Sequence, residues 1–387
     1  MSSDKVLTGA RIFDGDRSHD QSGLLIKDGQ IGGIMSLTSV PSDAERVELD
    51  GGLLAPGFVD LQVNGGGGVL FNDVPTVEAI ATICEAHRSF GTTAVLPTLI
   101  TDTPEITTAA IDAATTAVAK KIPGCLGLHL EGPHLSIEKK GAHDPALIRK
   151  MEDDDLEQLL AAKAKLPNLM VTLAPESVSN EQISRLAASG IVVSLGHSAA
   201  SMESATGARE AGASCLTHLY NAMSPLIHRE PGMVGAGLSS LGFHCGLIAD
   251  GHHVDPQVIA ISLAAKRGEG NIFLVSDSMS TIGTDLKSFE LNGRTIHRDG
   301  GRLRLADGTL AGADLELSRA VRFMVNEVGI SLEGALRMAS VYPKRCLNNS
   351  STDEGVVAGQ AADVIHLDAE MNVTKVWQKG QQVSGEA

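Results

Sequence analysis

From residue 58 to residue 276 the chain alternates short apolar runs of β character with longer segments of helical periodicity, and that alternation leaves few architectures open. The apolar runs are 58–63, 94–99, 126–130, 170–174, 191–195, 215–219, 245–249 and 272–276. Helical spacing fills 76–90, 104–120, 153–165, 181–189, 202–211 and 256–267, with the seventh connection the least helical. Parallel strands need a crossover of about a dozen residues or more, usually a helix, and eight such units in series close into a barrel. The fold class expected is therefore α/β, a (β/α)8 TIM-like barrel.

Both ends of the chain read differently. Segments 5–13, 24–27, 30–34 and 46–49 carry strand character, with Asp28-Gly29 as a hairpin turn between the second and third. After the eighth run, 289–310 has hairpin signals at Asn292-Gly293, Asp299-Gly300 and Asp307-Gly308, helical spacing covers 315–327 and 332–347, and strand character returns at 362–367 and 373–378. We therefore expect a small β-sandwich domain built from residues 1–54 and 351–387, flanking a barrel over 55–350. No internal repeat or low-complexity segment interrupts this plan.

Composition removes several function classes. A formal net charge of −16 without any basic cluster argues against a nucleic-acid or anionic-membrane surface. The first residues lack the basic and apolar regions of a signal peptide, and no apolar run approaches the roughly 18–20 residues that cross a bilayer, so the expected location is the cytoplasm. Five cysteines, none in a C-x-x-C pair, fit reduced and mostly buried thiols.

Chemistry concentrates at the carboxyl ends of the runs. LHLEGPH (128–134), SLGHS (194–198), THLYNAM (217–223) and SDS (276–278) place Glu131, His197, His218 and Asp277 after runs three, five, six and eight. That rim is where barrel enzymes collect catalytic groups. A lone His or Asp there is more often a satisfied structural group; four on one rim outline a metal site. Imidazole and carboxylate ligands with an open position suit Zn²⁺ or another divalent ion. The run Gly65–Gly68 lacks the Lys-Ser/Thr of a P-loop and reads as a flexible loop, and His129 and His134 read as supporting or packing groups.

Taken with PGFVDLQVNGGG (56–67), KGAH (140–143), HLYNAM (218–223), REPG (229–232), IADGHHVD (248–255) and LVSDSM (274–279), these strings resemble the amidohydrolase superfamily and, within it, the N-acetylglucosamine-6-phosphate deacetylases. The resemblance implies metal ligation by Glu131, His197 and His218, with one divalent ion per subunit, zinc first and iron, cobalt or manganese as alternatives. It implies Asp277 as catalytic base and acid and His143 as the group polarising the amide carbonyl. It places Asn221, Ala222, Arg229 and His253 at the sugar phosphate, leaves His252 as a one-residue alternative to His253, and adds Gln62, Asn64 and Ala142 to the substrate site. Arg229 would reach in from a partner subunit if the protein is a homodimer or larger homo-oligomer. Two departures stand out: Gln62-Val63-Asn64 replaces the H-x-H that many superfamily members carry at the end of strand one, and at strand eight Ser276-Asp277-Ser278 replaces the Thr-Asp-Ala often seen.

The expected activity is hydrolysis of N-acetyl-D-glucosamine 6-phosphate to D-glucosamine 6-phosphate and acetate, in amino-sugar catabolism and cell-wall recycling. Its nearest rivals are deacetylation of the galacto epimer and hydrolysis of a cyclic amide. A catalytically dead scaffold is the rival of another class, and it predicts the loss of a ligand or of the strand-eight aspartate, all of which this chain retains.

Overall fold

In the computed structural model, which describes residues 4–348 and 354–384, eight parallel strands pair strictly with their sequence neighbours. They are Phe58–Val63, Thr92–Ile100, Gly127–Glu131, Asn168–Leu173, Val192–Leu195, Cys215–Leu216, His244–Leu247 and Ile272–Leu274. The ring closes where Val63 bridges Ser278 in parallel and the Asp277 N–H donates to the Gln62 carbonyl at 3.0 Å. Every residue of strand one is buried, as expected for a strand covered on both faces.

The helices begin where the sequence supplies caps. Thr76 accepts from the Ala79 N–H at the head of Val77–Arg88, Thr103 precedes Pro104–Ala119, and Ser179 with Gln182 forms a capping box on Asn180–Ala188. Their inner faces pack on the strands through Ala, Val, Leu and Ile in one continuous core. The connection expected to be least helical, the seventh, holds the ten-residue helix Pro256–Ala265; it is the sixth that carries only the short helix Gly232–Leu238. Three glycines in GMVGAGL lower helix propensity there, and a long irregular segment with Pro225 and Pro231 precedes it.

Chain ends meet in two further sheets. One orders Gln30–Ser36, Ser22–Lys27, Lys5–Thr8 and Glu45–Glu48; the other orders Gln381–Ser384, Val373–Gln378, Val364–Leu367, Leu53–Pro56, Arg11–Phe13 and Ser18–His19. Their shared core joins Leu7, Ile12 and Leu24 to Val364 and Trp377. The single run expected over 5–13 is two strands in different sheets, broken at Gly9, where φ is +86° and a Cβ would lie 2.1 Å from the Leu49 carbonyl. The expected domain limit at 350/351 lies outside the described residues. Among the described residues no helix is long and apolar enough to cross a membrane.

The glycine run after strand one is not a flexible loop. Gly65–Gly66 and Val69–Leu70 form a tight antiparallel hairpin with both glycines of its first strand buried. A Cβ on Gly65 would sit 2.4 Å from the Val69 carbonyl oxygen, so only glycine lets the hairpin close. An antiparallel sheet of Ser288–Leu291, Arg294–Asp299, Arg302–Arg304 and Leu310–Ala313 follows strand eight, with turns where the Asn-Gly and Asp-Gly pairs stand. Arg298 ties it to the segment after strand eight, donating to the Thr284 carbonyl at 2.7 Å and through Nε to Asp314 at 2.8 Å.

Candidate active site

Glu131 ends strand three, and His197, His218 and Asp277 stand just past the ends of strands five, six and eight. Each of the last three turns its backbone into the left-handed region, with φ of 46°, 30° and 49°. A residue other than glycine pays about 1–3 kcal/mol for such a conformation, and this strain gathers at functional sites. For His197 the turn is clamped: Glu176 accepts from the Ser198 hydroxyl and the Ala199 N–H, both at 2.7 Å.

These turns aim three ligand-type atoms at one point. Glu131 Oε1 lies 3.1 Å from His197 Nε2 and 3.0 Å from His218 Nε2, and the two imidazole nitrogens are 3.1 Å apart. The Lys139 carbonyl accepts from His197 Nδ1 at 2.8 Å, which fixes the tautomer and leaves the Nε2 lone pair free to ligate. Burial alone would raise the Glu131 pKa, but the two imidazoles hold it well below the usual carboxylate range. Burial would likewise lower His218, yet the Glu131 carboxylate carries it above the ordinary imidazole value. The cluster thus attracts positive charge strongly, and donors this close fit a cation bound at about 2.0–2.2 Å from each. A looser grouping of Glu131, His143 and His197, with ligand atoms within 4.8 Å of one another, shares the same place. The His218 contacts are tighter, so His218 is the better third ligand.

Asp277 sits beside this cluster in a bracket of amides. Asn64 Nδ2 donates to its Oδ1 at 2.7 Å and Gln62 Nε2 at 3.1 Å, while Gln62 also reaches both Glu131 oxygens at 3.2 Å. Burial, then the Glu131 charge, lifts the Asp277 pKa to about 6 against the pull of His218, Asn64 and His253. Gln62 therefore serves the two carboxylates and does not line the cavity; Asn64 serves Asp277 and does line it.

His143 belongs to the long loop after strand three. Its Nδ1 receives the Thr101 hydroxyl at 2.8 Å, aided by the Thr101 N–H at 3.4 Å. An accepting Nδ1 leaves the proton on Nε2, the tautomer that can donate to a carbonyl oxygen. Burial and the neighbouring His197 ring push its pKa down to about 3, so it is neutral at ordinary pH.

Glu131, His197, His218, Asp277, Asn64 and His143 line one cavity of about 410 Å³. Its far side, after strands six and seven, presents Asn221, Ala222 and His253. His253 Nδ1 meets Asp250 at 2.7 Å, leaving Nε2 for a ligand; His252 is exposed and outside the cavity. Ala142 lines the near side, its carbonyl accepting from Arg294 of the inserted sheet. Arg229 is on an exposed loop and does not line the cavity. Sequence reading missed Thr101, Glu176 and Arg294, which act through contacts that only the closed barrel creates, and Asp250, whose local contact with His253 three residues on lay inside a quoted string.

Beneath the site, Asp60 is fully buried, its Oδ1 accepting the Gln62 and Ser276 N–H groups at 3.2 Å. Burial lifts its pKa from 3.8 to about 7 against those hydrogen bonds, with the Asp277 charge adding to the rise. Between these two values the folded protein holds a proton that the unfolded chain has released. Stability therefore falls as pH rises through that window, by up to about 1.4 kcal/mol per pH unit. In metal-free protein, urea unfolding between pH 5 and 7 should show a slope shallower by one proton in Asp60→Asn than in wild type. Equal slopes would mean that Asp60 is already ionised in the fold.

Residues 53–383 match the family described as Amidohydrolase family. The chain is 42% identical over 378 residues to the N-acetylgalactosamine-6-phosphate deacetylase of Shewanella sp. (strain ANA-3), covering 97% of this chain and 95% of that protein. Its fold matches the N-acetylglucosamine-6-phosphate deacetylase of Pasteurella multocida with a TM-score of 0.94 at 33% identity, covering 99% and 100% of the two chains. A mutant of the Mycobacterium smegmatis N-acetyl-D-glucosamine-6-phosphate deacetylase, in complex with N-acetyl-D-glucosamine 6-phosphate, matches with a TM-score of 0.90 at 30% identity over 98% and 99%.

Proposed function

The chain belongs to the amidohydrolase family, and from this we propose that it hydrolyses the acetamide of N-acetyl-D-glucosamine 6-phosphate to give D-glucosamine 6-phosphate and acetate. The observation that carries the reading is the convergence of Glu131, His197 and His218 within 3.0–3.1 Å, with Asp277 and His143 in the same cavity. Those three ligands would hold one divalent ion, with zinc proposed first for a His₂-carboxylate set and iron, cobalt or manganese next. When bound, such an ion supplies Lewis acidity, polarising a carbonyl and making water more acidic.

The remaining steps fall to the side chains. Asp277, oriented by Asn64 and Gln62, takes a proton from the attacking water and returns it to the departing amine. His143 donates its Nε2 proton in a hydrogen bond to the carbonyl oxygen as negative charge develops there. Asn221, the Ala222 backbone and His253 receive the phosphate at the opposite side of the cavity. Arg229 completes that subsite from a second copy of the chain, a homodimer contact that would also cover Leu226 and Ile227, which are 53% and 47% exposed. A cytoplasmic place in amino-sugar catabolism and cell-wall recycling follows from the substrate.

A second reading has its own support: the Shewanella relative, at 42% identity, is named for the galacto epimer. Parallel acetate-release assays on the two N-acetylhexosamine 6-phosphates decide between them, and a kcat/KM at least tenfold higher for the galacto sugar would reverse the assignment.

Arg229→Ala should lower kcat/KM for the phosphorylated sugar by about 10–100-fold, the scale of one charge-assisted hydrogen bond. Turnover of unphosphorylated N-acetylglucosamine, expected to be slow already in the wild type, should be unaffected. Equal losses on both sugars would remove Arg229 from the phosphate subsite.

A further inference from the structure

The catalytic cavity has two chemically different sides. Asn221, Ala222 and His253 follow strands six and seven; Ile100 ends strand two and Ala142 lies in the loop after strand three, across the barrel, with Met279 from the segment after strand eight packed against Ile100. This second side is apolar, and it is continuous with a separate small core. Ile100 and Met279 pack with Leu70 and with Leu291, Ile296, Leu303 and Ala311 of the inserted sheet, and Ala142 leans on the same cluster.

The sheet is seated firmly on that wall. Gly312, on its last strand, has φ +64°, and a Cβ there would lie 2.7 Å from Met279 Cγ, so the strand runs directly against the methionine. Arg294, on its second strand, holds the Ala142 carbonyl beside His143. Leu310 and Gly312 of that last strand line the cavity beside the methionine, while Arg294 and Leu303 hold the wall from behind without lining it.

With the sugar phosphate at Asn221 and His253, an amide between His143 and Asp277 must turn its acyl carbon chain away from the sugar, toward Ile100, Ala142 and Met279. We propose that these three residues form the acyl subsite and that the core of the inserted sheet sets its depth, restricting the enzyme to short acyl groups. This rests on the function proposed above, because that reading supplies the orientation of the substrate.

The test measures release of glucosamine 6-phosphate, the product common to all substrates, from its N-acetyl, N-propionyl and N-butyryl derivatives. In the wild-type protein, kcat/KM should fall by at least about tenfold per added methylene, the usual discrimination of an apolar pocket. Met279→Ala should recover about tenfold of the butyryl-to-acetyl ratio, and the volume-matched Met279→Leu should leave the ratio at the wild-type value. Leu303→Ala, which opens the backing core without touching the cavity, should shift the ratio in the same direction as Met279→Ala. Asn221→Ala should slow all three substrates alike. Met279→Ala and Leu303→Ala proteins that deacetylate normally with the wild-type ratio would overturn the subsite alone. No amine release by the wild type from any of the three would overturn the proposed function and the subsite with it.

Discussion

Asp277→Asn is expected to lower kcat by roughly 10²–10⁴-fold, the usual contribution of a positioned general acid–base group, while metal content stays at the wild-type level. The substitution keeps the shape of the side chain and an oxygen able to accept from Asn64 and Gln62, so the bracket around it survives. What it removes is a group that can take and return a proton. The position demands such a group: a carboxylate driven up to about 6 by burial and by Glu131 exchanges protons readily near neutrality. A variant with near-normal kcat would move the proton-transfer role elsewhere, and His143 is the first alternative.

Glu131→Gln should have an effect at least as large by a different route. Glu131 Oε1 lies within 3.1 Å of both His197 Nε2 and His218 Nε2, and its charge is what draws a cation to the site. Losing it should weaken metal binding by more than about 100-fold, beyond the 10–100-fold typical of outer-shell partners, and abolish activity at stoichiometric metal. Elemental analysis should find one ion per wild-type chain and less than a tenth of that in the variant. One is the expected number because Gln62 and Asn64, which stand where H-x-H would help bind a second ion, are amides already donating to Glu131 and Asp277. Two fully occupied sites in the wild type would contradict this account.

The barrel was legible because its strands are buried on both faces and so read as continuous apolar runs, while its helices carry their own caps. Strands six and eight end earlier than their apolar runs, at Leu216 and Leu274. The reason is local: His218 and Asp277 need left-handed backbone to face the cavity, and that conformation cannot continue a ladder. The strand Leu53–Pro56 escaped notice because it runs into strand one with only Gly57 between them, yet it is the one that joins the two chain ends, pairing with both Arg11–Phe13 and Val364–Leu367. Glycine content alone made 65–68 look mobile; the close approach of the hairpin's two strands, which requires those glycines, is a tertiary fact.

The site was legible to the extent that its residues sit in short strings at strand ends. Glu131, His197, His218, Asp277 and His143 share the cavity, as their positions after strands three, five, six and eight on one rim allow. Gln62 shows the limit of such reading: its place at the end of strand one gave no sign that its amide would be spent on two carboxylates rather than on a ligand. Thr101 and Arg294 show another, since they act on the His143 loop from 42 and 152 residues away, a distance that no local pattern records.

The most direct test of metal-dependent deacetylation follows acetate release from N-acetyl-D-glucosamine 6-phosphate by chelator-stripped protein before and after one equivalent of Zn²⁺ is restored. The expected result is no release without metal, recovery of most of the activity at one equivalent, and little turnover of the unphosphorylated sugar. Full activity in protein verified to be metal-free, or equal rates on the two sugars, would contradict it.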